Sequence, residues 1–106
     1  NGQQILSESA LKQMMQTQTT LDKIKYAPKV AQGYNYALGS WVKEQGKDGK
    51  ATVLTSPGLF GTWPLVDFCR GYAYIVFVKN LLNEDRADSN IEIKKAIDKQ
   101  IPSSCN

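Results

Sequence analysis

Apolar and polar positions follow two rhythms along this chain, a helical one near its ends and a strand-like one in its middle. In SESALKQMMQ, residues 7–16, Leu11, Met14 and Met15 fall at i, i+3 and i+4, the stripe of a short helix. Ser7 is placed to cap it, and Glu8 suits the positive end of its dipole. Thr17 to Pro28 has little periodicity and reads as a loop holding one short turn of helix. From Tyr34 the pattern turns aromatic and β-rich, and 34-YNYALGSWVKE-44 predicts one strand. Asp48-Gly49 is a strong hairpin-turn pair, so 51-ATVLT-55 predicts the returning strand. A Pro/Gly loop leads to 62-TWPLVDF-68, a strand with Pro64 expected at an edge or bulge. A tight turn at 69-CRG-71 then leads into 72-YAYIVFVK-79. That run is apolar on both faces, which predicts a central strand covered on both sides.

The chain closes on a second helical pattern. Ser89 and Glu92 have the S-x-x-E spacing of a capping box, Ile93, Ala96, Ile97 and Ile101 form the expected apolar stripe, and Pro102 stops the helix. The expected fold is α+β: an antiparallel sheet of about four strands with an N-terminal and a C-terminal helix packed on it. Residues 1–106 read as a single segment without repeat or linker. Two short helices are little cover for a sheet with an apolar strand on both faces, so a larger partner body is expected.

Composition narrows the chemistry. The 13 basic and 10 acidic residues are interleaved, as in 43-KEQGKDGK-50, which reads as a solvated face rather than a nucleic-acid patch. There is no histidine, which removes the commonest general base and the commonest zinc ligand. Two cysteines 36 positions apart make neither a metal pattern nor a Cys-x-x-Cys redox motif. Phosphate-loop and dinucleotide fingerprints are lacking, and no cofactor is expected. The longest apolar run, 72-YAYIVFV-78, is far too short to span a bilayer. The chain opens on Asn1, and we read it as a mature product or a fragment.

At 55-TSPGLFGTWPLVDFCRGYAYIVFVK-79 the chain resembles the C-terminal end of the serine β-lactamase-like hydrolases, the relatives of class C β-lactamases, penicillin-binding proteins and esterases of that fold. The shared order is a strand, a Gly-rich loop, an apolar strand ending in Asp, a turn with Gly, an apolar strand and a terminal helix. The stretch 1-NGQQILSESALKQM-14 is similar to the segment that precedes those strands in the family. The stretch 34-YNYALGSWV-42 is similar to the family's Tyr-Gly-x-Gly-Trp strand, with Asn35 and Ala37 as departures. The resemblance runs from Asn1 to Ile101 and is carried by order and spacing, not by a single motif.

Family members are much longer. They carry a Ser-x-x-Lys nucleophile motif, a Tyr-x-Asn motif in a helical domain, and a Lys- or His-x-Gly motif on the strand beside the active site. The resemblance therefore implies a bacterial, periplasmic or secreted serine hydrolase that cleaves a small ester, amide or peptide through an acyl-enzyme. This chain would hold only the region of the third motif and would be inactive alone. Its implied partners are the remainder of the hydrolase domain or a second copy joined through sheet edges. The alternative is a non-catalytic secreted binding module or a catalytically dead relative.

Ser56-Pro57-Gly58 stands nearest to the third motif, which implies a cleft wall and a backbone oxyanion donor at Gly58 or Leu59. The family's Lys or His is replaced by Thr55 or Ser56, which favours ester or peptide substrates over β-lactams. The plainer reading is a Pro/Gly turn between strands. Phe60, Trp63 and Tyr72 are candidate substrate contacts, although such residues more often pack a sheet. Asp67 is expected to end a strand and cap the turn at Cys69–Gly71. Ser9 and Lys12 match Ser-x-x-Lys literally, but seven Ser and eleven Lys in 106 residues give about one such match by chance. We read them as an exposed helix face. No Tyr-x-Asn occurs.

Cys69 and Cys105 are within reach of each other. The last strand covers about 30 Å, the helix returns about 18 Å and the tail adds about 13 Å. A disulfide between them would suit the exported location typical of the family. Two free thiols are the other reading.

Overall fold

The computed structural model describes residues 2–58, 60–78 and 87–105. Among these residues there are five strands, β1 (Asn35–Tyr36), β2 (Trp41–Gln45), β3 (Ala51–Thr55), β4 (Trp63–Asp67) and β5 (Tyr72–Val76). Each pairs antiparallel with the next, so one sheet runs in the order β1-β2-β3-β4-β5. Helix α1 (Glu8–Met14) precedes the sheet and helix α2 (Ala87–Asp98) follows it. The α+β class with flanking helices is as the sequence predicts.

The fifth strand arises because the predicted strand over 34–44 folds back on itself. Gly39 has φ +77°, and the Ala37 N–H donates to the Ser40 carbonyl at 2.9 Å, which brings Tyr36 opposite Trp41. The β2–β3 turn forms where Asp48-Gly49 predicts it, with Gly49 at φ +77° and Gly46 N–H donating to the Lys50 carbonyl at 2.9 Å. Ser7 caps α1 by accepting from the Ala10 N–H at 3.2 Å. Between α1 and β1 there are two short 3-10 turns, Leu21–Lys23 and Lys29–Ala31.

Three sequence expectations are corrected. First, among the described residues β5 is the edge strand of the sheet, not a central one. Its residues alternate in exposure: Tyr72, Tyr74 and Val76 are half-buried, whereas Ile75 is 59% and Phe77 80% exposed. Second, Pro64 sits in an interior strand. Its carbonyl faces β3, accepting from Ser56 N–H at 3.4 Å, and the paired positions there end at Thr55↔Leu65. Its missing N–H falls one position further on, at the end of the ladder, where only the Ser56-to-Pro64 bond of the two is made. Third, Ser89 lies inside α2 and is not its N-cap. The inward face of α2 runs through Asn90 and Lys94, with Ile97 and Ile101 half-buried, while Ile93 and Ala96 are exposed. The apolar stripe is displaced because the sheet presents a polar seam to the helix.

Directly opposed residues share a sheet face. Val53, Trp63, Leu65, Asp67, Tyr72 and Tyr74 therefore point toward α2, and Trp63, Leu65 and Val53 are its buried apolar anchors. Burial of each such side chain is worth about 1.5–3 kcal/mol. The other face holds a cluster of Ala37, Val42, Ala51 and Leu54 with Phe68 against it. Leu11 and Met14 of α1 border that side, around a cavity of about 250 Å³. Toward β5 the same face is open at Val66, Ile75 and Phe77.

Candidate functional site

The β3–β4 loop begins where Thr55, the last residue of β3, turns its hydroxyl to the Pro64 carbonyl at 2.8 Å. Ser56 follows and is exposed; Pro57 and Gly58 are half-buried. Gly58 N–H donates to the Thr62 carbonyl at 2.8 Å, and Gly61 N–H to the Gly58 carbonyl at 3.0 Å. A Cβ at Gly58 would lie 3.2 Å from the Thr62 oxygen, so glycine permits this closure. Ser56 borders the cavity between Leu11, Met14, Leu54 and Pro64.

These bonds bear on the oxyanion role. The N–H groups of Ser56 and Gly58 are already donated within the loop, and Pro57 has none. Neither Ser56 nor Gly58 is thus a free donor in this conformation, and Leu59 lies outside the described residues. Of the aromatic candidates, Phe60 is exposed, whereas Trp63 is a core residue and does not reach solvent. Ser9 and Lys12 lie on an exposed face of α1, and the Ser9 hydroxyl pairs with that of Ser7 at 3.0 Å.

Beneath α2 lies a buried charge cluster that the sequence reading missed apart from Asp67. Lys94 is 4% exposed and Asp67 1%. Lys94 Nζ lies 2.7 Å from Asp98 Oδ2, 3.1 Å from Glu44 Oε1 and 3.3 Å from Asp67 Oδ2. Asp67 also receives the Arg70 N–H at 2.9 Å and Arg70 Nη1 at 3.2 Å, the turn cap predicted for it. Tyr72 donates to Asp98 Oδ1 at 2.8 Å. Burial alone would push the Lys94 ammonium down, but its bonds to Asp98 and Glu44 win and hold it above the usual lysine range. Burial would likewise raise the Asp98 carboxyl, but Lys94, Tyr72 and Arg70 hold it below the usual carboxylate range. Burial, reinforced by the bond to Asp98, pushes the Tyr72 hydroxyl well up. Every charge here meets an opposite partner, so the cluster fastens α2 to the sheet. A helical wheel drawn from Asn90 through Lys94 to Asp98 was the available signal.

Cys69, in the β4–β5 turn, is disulfide-bonded to Cys105, with Cα atoms 5.1 Å apart. Ser104 N–H donates to the Cys69 carbonyl at 2.7 Å beside it. Among the described residues, no cluster of His, Cys, Asp and Glu is arranged to hold a metal, and no helix is long and apolar enough to cross a membrane. Comparison with protein-family models, curated proteins and solved structures gave no match to this chain.

Proposed function

We propose that this chain is the C-terminal portion of a bacterial serine hydrolase of the β-lactamase/penicillin-binding type, which cleaves an ester or amide through an acyl-enzyme. The observation that carries the reading is the order of parts. An aromatic hairpin is followed by a strand ending at Thr55-Ser56, a Pro/Gly loop, two strands joined by the Asp67-capped turn, and a helix laid over the sheet. The family resemblance leads to that same order. In this reading β3 and its loop wall the cleft, while nucleophile and base come from the rest of the enzyme. With Ser56 and Gly58 N–H groups engaged, the oxyanion donor falls to Leu59 or to another part of the enzyme.

Among the described residues no strand pairs with the outer edge of β5, which supports the expected partner. From Tyr72 to Val78 it carries no charge and no proline, the usual guards of an edge strand. The rest of the hydrolase domain adds there, or a second copy does. The Cys69–Cys105 bond supports a periplasmic or extracellular location.

A second reading, a non-catalytic secreted binding module, is favoured by the self-satisfied loop and by the lack of a basic residue at Ser56. One experiment separates the two. Source cells are treated with a serine-reactive fluorophosphonate probe and blotted with an antibody to this segment. A labelled species much heavier than this chain is the expected result. An unlabelled species of the chain's own size would overturn the hydrolase reading and leave the binding module.

A further inference from the structure

The segment between α1 and β1 borders two shallow, open hollows that adjoin each other. One, of about 290 Å³, is floored by Tyr36 and Trp41. The other, of about 310 Å³, continues beneath Leu21 toward Gln32 and Gly33. They share Ile24, Lys25 and Tyr26 as walls. Tyr36 and Trp41 meet edge to face with ring centroids 4.8 Å apart, and both stay partly exposed. Tyr26 lines both hollows and is 83% exposed, an aromatic ring left largely in solvent by the fold.

The rim at Thr19, Leu21 and Tyr36 is tied down before any ligand arrives. The Gln18 and Thr19 N–H groups donate to the Tyr36 carbonyl at 2.8 and 2.9 Å, and Tyr36 N–H returns a bond to Thr19 at 2.8 Å. Leu21 N–H donates to Asn35 Oδ1 at 3.1 Å. Lys25 is the only charged residue in either lining. It forms no ion pair among the described residues. The nearest acid in sequence, Asp22, accepts a bond from the Thr20 hydroxyl. An aromatic-floored hollow with one cation in its lining has the make-up of a small-molecule site.

We infer that this double hollow binds a planar aromatic anion. The ring lies on the Tyr36–Trp41 floor beneath Tyr26, and the carboxylate meets the Lys25 ammonium. The inference stands apart from the hydrolase reading, since a chain with no catalytic part would bind in the same way.

The test is a titration of the full ¹⁵N-labelled chain with 2-naphthoate and, separately, with its neutral counterpart 2-naphthamide. The expected result is a saturable shift of the Trp41 indole N–H and of the Ile24 to Ala27 amides, with the acid bound more tightly than the amide. Lys25→Gln should weaken naphthoate binding by roughly three- to tenfold and leave the amide unchanged. Tyr26→Ser, at a solvent-facing position that folding does not need, should weaken both. No saturable shift, shifts centred on Val66, Ile75 and Phe77, equal binding of acid and amide, or indifference to either substitution would overturn it.

Discussion

Lys94 Nζ sits 3.3 Å from Asp67 Oδ2, two buried side chains joining the middle of α2 to the end of β4. Removing one partner of such a pair strands the other in low dielectric. Lys94→Met should therefore destabilise the chain by about 3 kcal/mol, read as a lower midpoint in urea. A loss below about 1 kcal/mol would mean that Arg70 alone compensates Asp67.

The same cluster fixes the shape of the pH profile. Asp98 is held below its ordinary value, so its contribution is present above that value and fades as acid is added through the folded-state range. Lys94 and Tyr72 are held above theirs, so their contributions are full below about pH 10 and fade as pH rises further. Stability should be flat near neutrality and fall on both sides, below about pH 4 and above about pH 10. In Lys94→Met the acid limb should flatten, because Asp98 loses its nearest cation. Urea melts across the range check both limbs.

Reduction should loosen the tail. The Cys69–Cys105 bond closes a loop of sequence separation 36, for which the chain-entropy model gives about 3–4 kcal/mol. Dithiothreitol, or Cys69→Ser with Cys105→Ser, should lower the urea midpoint accordingly. A thiol titration of the unfolded, unreduced chain should find no free sulfhydryl.

The pure chain should not hydrolyse an activated ester above background, and Ser9→Ala should change nothing. The Ser9 hydroxyl meets Ser7, not a lysine. Measured turnover of p-nitrophenyl acetate that Ser9→Ala abolishes would move catalysis onto this chain.

The edge of β5 predicts association. Sedimentation should show mass rising with concentration, and Ile75→Lys with Phe77→Lys should suppress it at little cost to folding, since both side chains face solvent. A monomer at every concentration would remove self-pairing and leave the edge to a different chain segment.

Much of the fold was legible because local chemistry decided it. Asp48-Gly49 set the β2–β3 turn, Ser7 set the start of α1, and the β3 and β4 runs emerged nearly to the residue. What was not legible depended on neighbours. Whether 72-YAYIVFV-78 is central or at an edge depends on what pairs with it, which alternation alone does not encode. The inward face of α2 was misplaced because a long aliphatic Lys94 packs like a core residue once Asp67, Asp98 and Glu44 surround its head. At the candidate site, Ser56-Pro57-Gly58 could be picked out from its residue types, but the engagement of its N–H groups with Pro64 and Thr62 required the backbone path.

The bond from Cys69 to Cys105 also makes the last third of the chain a covalent ring. A protease that cuts once between residues 70 and 104 separates nothing, because both pieces stay linked through the sulfurs. On a gel without reductant the nicked chain should run as one band, and only reductant should release two. The ring closes at the β4–β5 turn, the end of the sheet away from Ser56. A label fused after the ring would therefore emerge far from that loop and leave it clear.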